Sequence, residues 1–457
     1  MKHLLLLTLG TCLLCLSAKL MAQKLPAPPA LDARMYDIAA AVSAERIEGD
    51  IRRLVSYGTR NTLSDTTSET RGIGAARRWI KAEFERISQA CGGCLEVFEQ
   101  RHLVKAGVSR RIPTDTWIVN VVAIQRGRTH PNRYVIMSGD IDSRASDVTN
   151  AEIDAPGAND NASGMAGVLE AARVLSRYEF GSSIVYVGLS GEEQGLFGGK
   201  YMATQAKEAG WNIVGVLNND MIGNIEGVDG VIENNSFRIF SEPTPVTETD
   251  GQRRMRRFYG GEVDGPSRQL ARYVARMTRQ YLTNLEPVMI YRLDRFGRGG
   301  HHRPFNDEGF AGVRIMETHE NYNRQHQDVR VENGIAYGDV IEGVNFPYAA
   351  KLTAVNAISL AGLAWAPPQP AEVKIGGAVQ PSTTLAWEPV EDENLLGYKL
   401  YWRETTAPQW QYSRFVGDTT SFTLEGIVID NYLFGVAAVG KDGNESLVVF
   451  PSALLRR

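Results

Sequence analysis

From about residue 117 the chain alternates short, almost wholly apolar runs with stretches of helical period. The runs Trp117–Ile124, Tyr134–Ser138, Ile184–Leu189, Ile213–Leu217 and Val313–Met316 read as strands. Between them, Met165, Val168, Leu169, Ala172 and Leu175 mark one face of a helix, and Leu196–Glu208 reads as another. Upstream, Ile73, Ile80, Phe84 and Ile87 recur at helical spacing, which predicts a helix from about Thr70 to Gln89. Strands with no polar face need cover on both sides, and helices between them supply it, so the pattern predicts an α/β sheet, mainly parallel.

Acidic residues follow these strands. Tyr134–Ser138 runs into Gly139-Asp140-Ile141-Asp142, Ile184–Leu189 into Gly191-Glu192-Glu193, and Ile213–Leu217 into Asn218-Asn219-Asp220. Val313–Met316 runs into Glu317 and, further on, His326. In open α/β sheets the carboxyl ends of the strands form the ligand crevice. One such carboxylate is ordinarily a helix cap. Four strands delivering carboxylates and a histidine to one edge would repel unless a cation sat among them.

The 457 residues carry 49 basic and 53 acidic side chains, a net charge of −4. Without a basic excess there is no case for nucleic-acid binding. Lys2 followed by the apolar run Leu4–Leu16 and small residues to Ala22 reads as a signal peptide over residues 1–22. No later run is long enough to predict a membrane span. The expectation is export to the periplasm or the extracellular space. There the Cys91-Gly92-Gly93-Cys94 pair reads as a local disulfide between Cys91 and Cys94. Residues 23–44, proline-rich at first, read as a leader, and Ile225–Pro266 as a strand plus a surface excursion whose Arg253, Arg254, Arg256 and Arg257 form a solvated face.

Pro367, Pro368 and Pro370 mark a stiff boundary near residue 365. Beyond it, Thr384–Trp387, Gly397–Arg403, Ser421–Leu424 and Tyr432–Val439 alternate as strands of a small all-β sandwich. Residues 366–457, with Trp387 and the Gly-Tyr-Lys-Leu-Tyr-Trp strand, resemble a fibronectin type III module, which implies binding of a protein or surface ligand rather than catalysis.

Four blocks in order carry a second resemblance: Gly157-Ala158-Asn159-Asp160-Asn161-Ala162-Ser163-Gly164, Gly191-Glu192-Glu193-Gln194-Gly195-Leu196, Asn219-Asp220-Met221-Ile222-Gly223, and His326-Gln327-Asp328. Together they resemble the exported zinc aminopeptidases of metallopeptidase family M28, whose fold the glutaminyl cyclases share. The resemblance covers residues 45–365 as a catalytic domain, and implies about eight mixed strands, two zinc ions and peptide substrates. By position, Asp160 resembles the carboxylate that bridges both metals. Asp220 would complete one site, Glu193 and His326 the other, and Glu192 takes the place of the general base. The residue types suit the chemistry: carboxylates and an imidazole hold zinc with a position open for water, and a non-ligating carboxylate can take that water's proton.

The pattern is departed from at two places. Asp140-Ile141-Asp142 stands where the family has His-x-Asp, and Gly300-His301-His302 where it has Ser-Asp-His. We expect Asp140 to ligate in place of the imidazole, making an all-oxygen site of Asp140, Asp160 and Asp220 that holds a weaker metal such as Mn²⁺. The rival is an exchange in which His301 supplies the nitrogen. Otherwise His301 is a substrate-side or supporting group. Asp142 is expected to support its neighbour and Asp328 to fix His326. Gln325 stands where a tyrosine often assists the oxyanion, and Tyr322 or His302 would substitute. Three functions remain open: an aminopeptidase, a one-zinc glutaminyl cyclase, and a non-catalytic binding protein. The intact Glu192-Glu193 pair argues against the last.

Overall fold

The computed structural model describes residues 26–455; the signal peptide read over residues 1–22 lies outside them. Nine helices and eight strands of one sheet build the larger domain among the described residues. In chain order these are α1 (Arg34–Ala41), α2 (Ala44–Val55), α3 (Gly72–Ala90), β1 (Leu95–Val104), β2 (Thr116–Gln125), β3 (His130–Asp140), α4 (Gly164–Leu175), β4 (Ser182–Leu189), α5 (Phe197–Glu208) and β5 (Asn212–Asn219). There follow β6 (Ser236–Ser241), α6 (Asp250–Phe258), α7 (Pro266–Tyr281), β7 (Glu286–Ile290), α8 (His302–Asp307), β8 (Gly312–Glu317), a hairpin of β9 (Arg330–Glu332) and β10 (Ile335–Tyr337), and α9 (Phe346–Trp365).

The sheet runs β1-β2-β4-β3-β5-β8-β6-β7. Its centre, β4-β3-β5-β8, pairs in parallel, as does β6 with β7. The β1–β2, β2–β4 and β6–β8 pairs are antiparallel, so the sheet is mixed. Alternation along β3 shows why its sequence is apolar throughout. Val135 and Met137 enter the core beneath α4 and α9, while Tyr134 and Ile136 enter a second core with Met202, Ala203 and Ala206 of α5.

Arg34–Ala41 was expected within a leader. It is a helix instead, because Met35 and Ile38 are wholly buried in the main core. The arginines of α6 do lie on a solvated face, since that helix buries no residue. Cys91 and Cys94 are bridged at the end of α3. No described helix is long and apolar enough to cross a membrane.

Beyond α9 stands an all-β module of two sheets. One contains β11 (Ala371–Gly376), β12 (Thr383–Glu388), β15 (Ser421–Leu424) and β17 (Ala453–Leu454); the other contains β13 (Leu395–Glu404), β14 (Tyr412–Gly417) and β16 (Tyr432–Gly440). It is docked on the larger domain. Asp264, beside α7, is buried between Arg272 at 2.6 Å and Arg403 of β13 at 2.7 Å. Glu445 likewise takes Arg276 of α7 at 3.3 Å and Lys399 at 3.0 Å.

Candidate metal centre

The carboxyl ends of β3, β4, β5 and β8 form one edge, and the loops leaving them carry the candidate residues. Among the described residues, Asp160, Glu193 and His326 form the set of ligating side chains whose donor atoms all lie within 4.8 Å of one another. His326 Nε2 is 3.0 Å from Asp160 Oδ2 and 3.1 Å from Glu193 Oε1. His326 holds a φ of 53°, unusual for a bulky residue and typical of side chains that a site must aim.

Neighbouring carboxylates hold this geometry. Asp339, which the sequence did not single out, accepts the backbone N–H groups of Asn159 at 2.8 Å and Asp160 at 2.6 Å. Asp142 accepts those of Glu192 at 3.2 Å and Glu193 at 3.1 Å, so it supports the turn after β4. Burial opposes ionisation of Asp160, but the bond to His326 and the charges of His326, Arg295 and Arg314 hold its carboxyl far below the usual range. Burial also disfavours protonated His326, yet Glu193 and Asp160 lift it to about 10. Without a metal, that proton is the cluster's own cation.

Two carboxylates plus a histidine, with donors converging on one point, fit a zinc-like ion with room for water. The second expected set, Asp140, Asp160 and Asp220, does not converge in this way among the described residues. His301 Nδ1 lies 2.5 Å from Asp140 Oδ1, and Asn161 Nδ2 donates to Asp140 Oδ2 at 2.7 Å. Burial raises the Asp140 carboxyl to about 8 and lowers His301 to about 4, so the pair holds one shared proton and little charge. Gly199 on α5 makes room for this ring, since a Cβ there would stand 2.6 Å from His301 Cδ2. Asp220 is occupied as well: Arg314 Nη2 lies 2.9 Å from its Oδ2. Burial, with Asp160 and Asp140, pushes the Asp220 carboxyl up to about 8 against the pull of Arg314.

Asp140 and Asp220 thus lie outside the converging set, each beside a partner from the chain itself, and His301 stands against Asp140. Arg314 was missed altogether. Its signal was an arginine inside the apolar Gly312–Glu317 strand, where a buried cation demands a carboxylate. His302 is buried too, but its Nε2–H donates to Leu293 O at 2.8 Å, away from the cluster. Tyr322 is 58% exposed and does not line the cleft. Asp328 accepts from the Ser146 N–H at 3.0 Å and donates its own N–H to Ser146 Oγ at 3.0 Å, with no direct hydrogen bond to His326.

Glu192 faces a cleft of about 310 Å³ that also contains Asp160, Glu193, Asp220 and His326. Burial, then Glu193, Asp220, Asp140 and Asp160, push its carboxyl well above the ordinary value. A cation among those carboxylates acts in the opposite sense. A half-buried carboxylate beside, but outside, a ligand set is suited to move a proton.

Residues 120–333 match the family described as Peptidase family M28. A probable zinc metalloprotease of Pyrenophora tritici-repentis is 40% identical over 429 residues, covering 93% of this chain and 88% of the relative. A probable zinc metalloprotease of Leptosphaeria maculans is 41% identical over 424 residues, covering 93% and 98%. In fold, the chain is similar to the crystal structure of the Legionella pneumophila LapA aminopeptidase, with TM-score 0.53 at 18% identity over 75% of this chain and 78% of that one. LapB from Legionella pneumophila gives 0.52 at 19%, over 74% and 77%.

Proposed function

The chain belongs to peptidase family M28 and is a zinc-dependent hydrolase, and from that premise we propose that it is an exported aminopeptidase working with one metal ion. The observation that carries this reading is the convergence of Asp160, Glu193 and His326 beside the non-ligating Glu192. Asp160, Glu193 and His326 would hold the metal, which when bound supplies Lewis acidity that polarises a carbonyl and acidifies water. Glu192 takes a proton from the attacking water and returns it to the leaving amine. Asp142 fixes the Glu192-Glu193 turn through both backbone N–H groups. Arg314 supplies a permanent positive charge at Asp220, where the family pattern leads one to expect a second ion. Export is supported by the apolar residues 4–16 and by the Cys91–Cys94 bridge. The C-terminal module is read as fibronectin type III-like. Its face carrying Arg403, Trp410 and Glu445 is committed to the catalytic domain, so any protein or surface ligand it binds meets another face.

The test is Glu192→Gln. Metal content and folding should be retained while turnover of aminoacyl anilides falls on the order of 10²–10⁴-fold. Loss of metal from this variant would make Glu192 a ligand and overturn the assignment. Ammonia release from a peptide with N-terminal glutamine, without free amino acid, would replace the aminopeptidase by a cyclase.

A further inference from the structure

The cleft is lined by five arginines: Arg111 from the β1–β2 loop, Arg144 from the segment after β3, Arg295 and Arg298 from the loop before α8, and Arg303 from α8 itself. Buried arginines in this protein meet either carboxylates, as Arg272 and Arg403 do, or only carbonyl and hydroxyl oxygens, as Arg60, Arg133 and Arg268 do. Arg314 has Asp220, and Arg295 has Glu320 at 2.8 Å. Three at the mouth are not matched. Arg111 donates to the main-chain oxygen of Glu193 at 2.5 Å, and neither it, Arg298 nor Arg303 forms an ion pair among the described residues. Arg303 Nε is buried with no hydrogen-bond partner. Its guanidinium lies against the backbone at Gly299, where a Cβ would come within 2.8 Å of Nη1. Arg144 Nη1 stands 3.9 Å from Glu193 Oε2, beside the ligand set.

A guanidinium presents a rigid fork of donors matched to a carboxylate. Placing several of them, without acidic partners, over a cleft of about 310 Å³ selects for a small anionic group. The overall charge of −4 makes this a local feature and not a general polyanion surface. Resting on the peptidase reading above, we propose that the cleft selects peptides carrying a carboxylate next to the scissile bond, held by Arg298 and Arg303 with Arg111 and Arg144 flanking it. The carboxylate has two possible sources, an Asp or Glu side chain or the free C-terminus of a very short peptide.

Zinc-loaded full-length protein should be assayed on three matched dipeptides: one with an acidic side chain and amidated C-terminus, one neutral with a free C-terminus, and one neutral and amidated. Expected is a kcat/KM for at least one carboxylate-bearing substrate about tenfold or more above the neutral amide, the size of one charge-assisted contact. The arm that responds identifies the source. The ratio should shrink in Arg298→Gln and Arg303→Gln, survive better in Arg303→Lys, and narrow as salt is raised. Calorimetric binding of the same peptides to the Glu192→Gln protein reads the preference without turnover. Binding preference without hydrolysis would sink the peptidase reading alone. Equal kcat/KM across the three peptides, or a ratio unmoved in both glutamine variants, would overturn this proposal and leave that reading standing.

Discussion

Two sets of carboxylates lie side by side at the end of the central strands, and the protein compensates them in different ways. Asp140 and Asp220 have partners supplied by the chain itself, His301 and Arg314. Asp160 and Glu193 share a single histidine between them. A carboxylate beside a buried guanidinium, or sharing a proton with an imidazole, has part of its charge offset by the chain itself. Two carboxylates converging on one histidine have only its proton between them, which a metal ion can replace. The difference teaches that a family motif names the positions of acids, while the remaining charges around each acid decide whether an ion belongs there.

The largest effect expected from breaking this contrast is at the cluster. Asp160→Asn should abolish stoichiometric metal binding and reduce peptidase activity to background, as read by metal analysis and anilide turnover. Full activity with one metal retained would move the working ion to Asp140 and Asp220. Next in size, Arg314→Met leaves Asp220 and Asp294 buried without their cation. Removing one member of such a buried pair costs about 3–5 kcal/mol. Denaturant unfolding should register that loss, and the variant should bind more metal per chain than the parent, as a divalent ion takes the vacated role. A parent protein that already binds two equivalents tightly would contradict the contrast.

The smallest effect is a pH dependence. In the metal-free protein Glu193 and Asp160 keep His326 protonated up to about 10 against the effect of burial, so loading the cluster must expel that proton. Below this pKa, zinc affinity should fall about tenfold for each unit drop in pH, roughly a hundredfold from about pH 8 to about pH 6. Competition titrations with a chelator of known affinity measure the slope. A flat profile would show that His326 is not displaced from its proton by the metal.

The strands leading to the site were legible from their apolar runs: Ile184–Leu189 is observed as Ser182–Leu189, and Val313–Met316 as Gly312–Glu317. Helix α9 was not, because it buries nearly every side and so carries no amphipathic stripe. Strand β1 was missed for the opposite reason, since its exposed edge mixes acids, Arg101 and His102 among few buried positions. At the site, Asp160, Glu192, Glu193 and His326 were readable from local motifs. Asp339 was invisible as a site residue because its partners lie far off in sequence, and Arg314 showed only as a charge inside an apolar strand, with nothing local to say which carboxylate it meets.

The order of residues within each strand and the turn that follows it determined by themselves which acids reach the edge of the sheet. Side chains alternate along a strand, and a short loop cannot carry them elsewhere. Only the tertiary structure decided which partner each of those acids meets. The pairing of β5 with β8 sets Arg314 opposite Asn218 and so beside Asp220, and the α8 approach sets His301 against Asp140. Compensation of charge is a short-range, through-space matter: a few ångströms between residues 94 or 161 positions apart settled what no local pattern encodes.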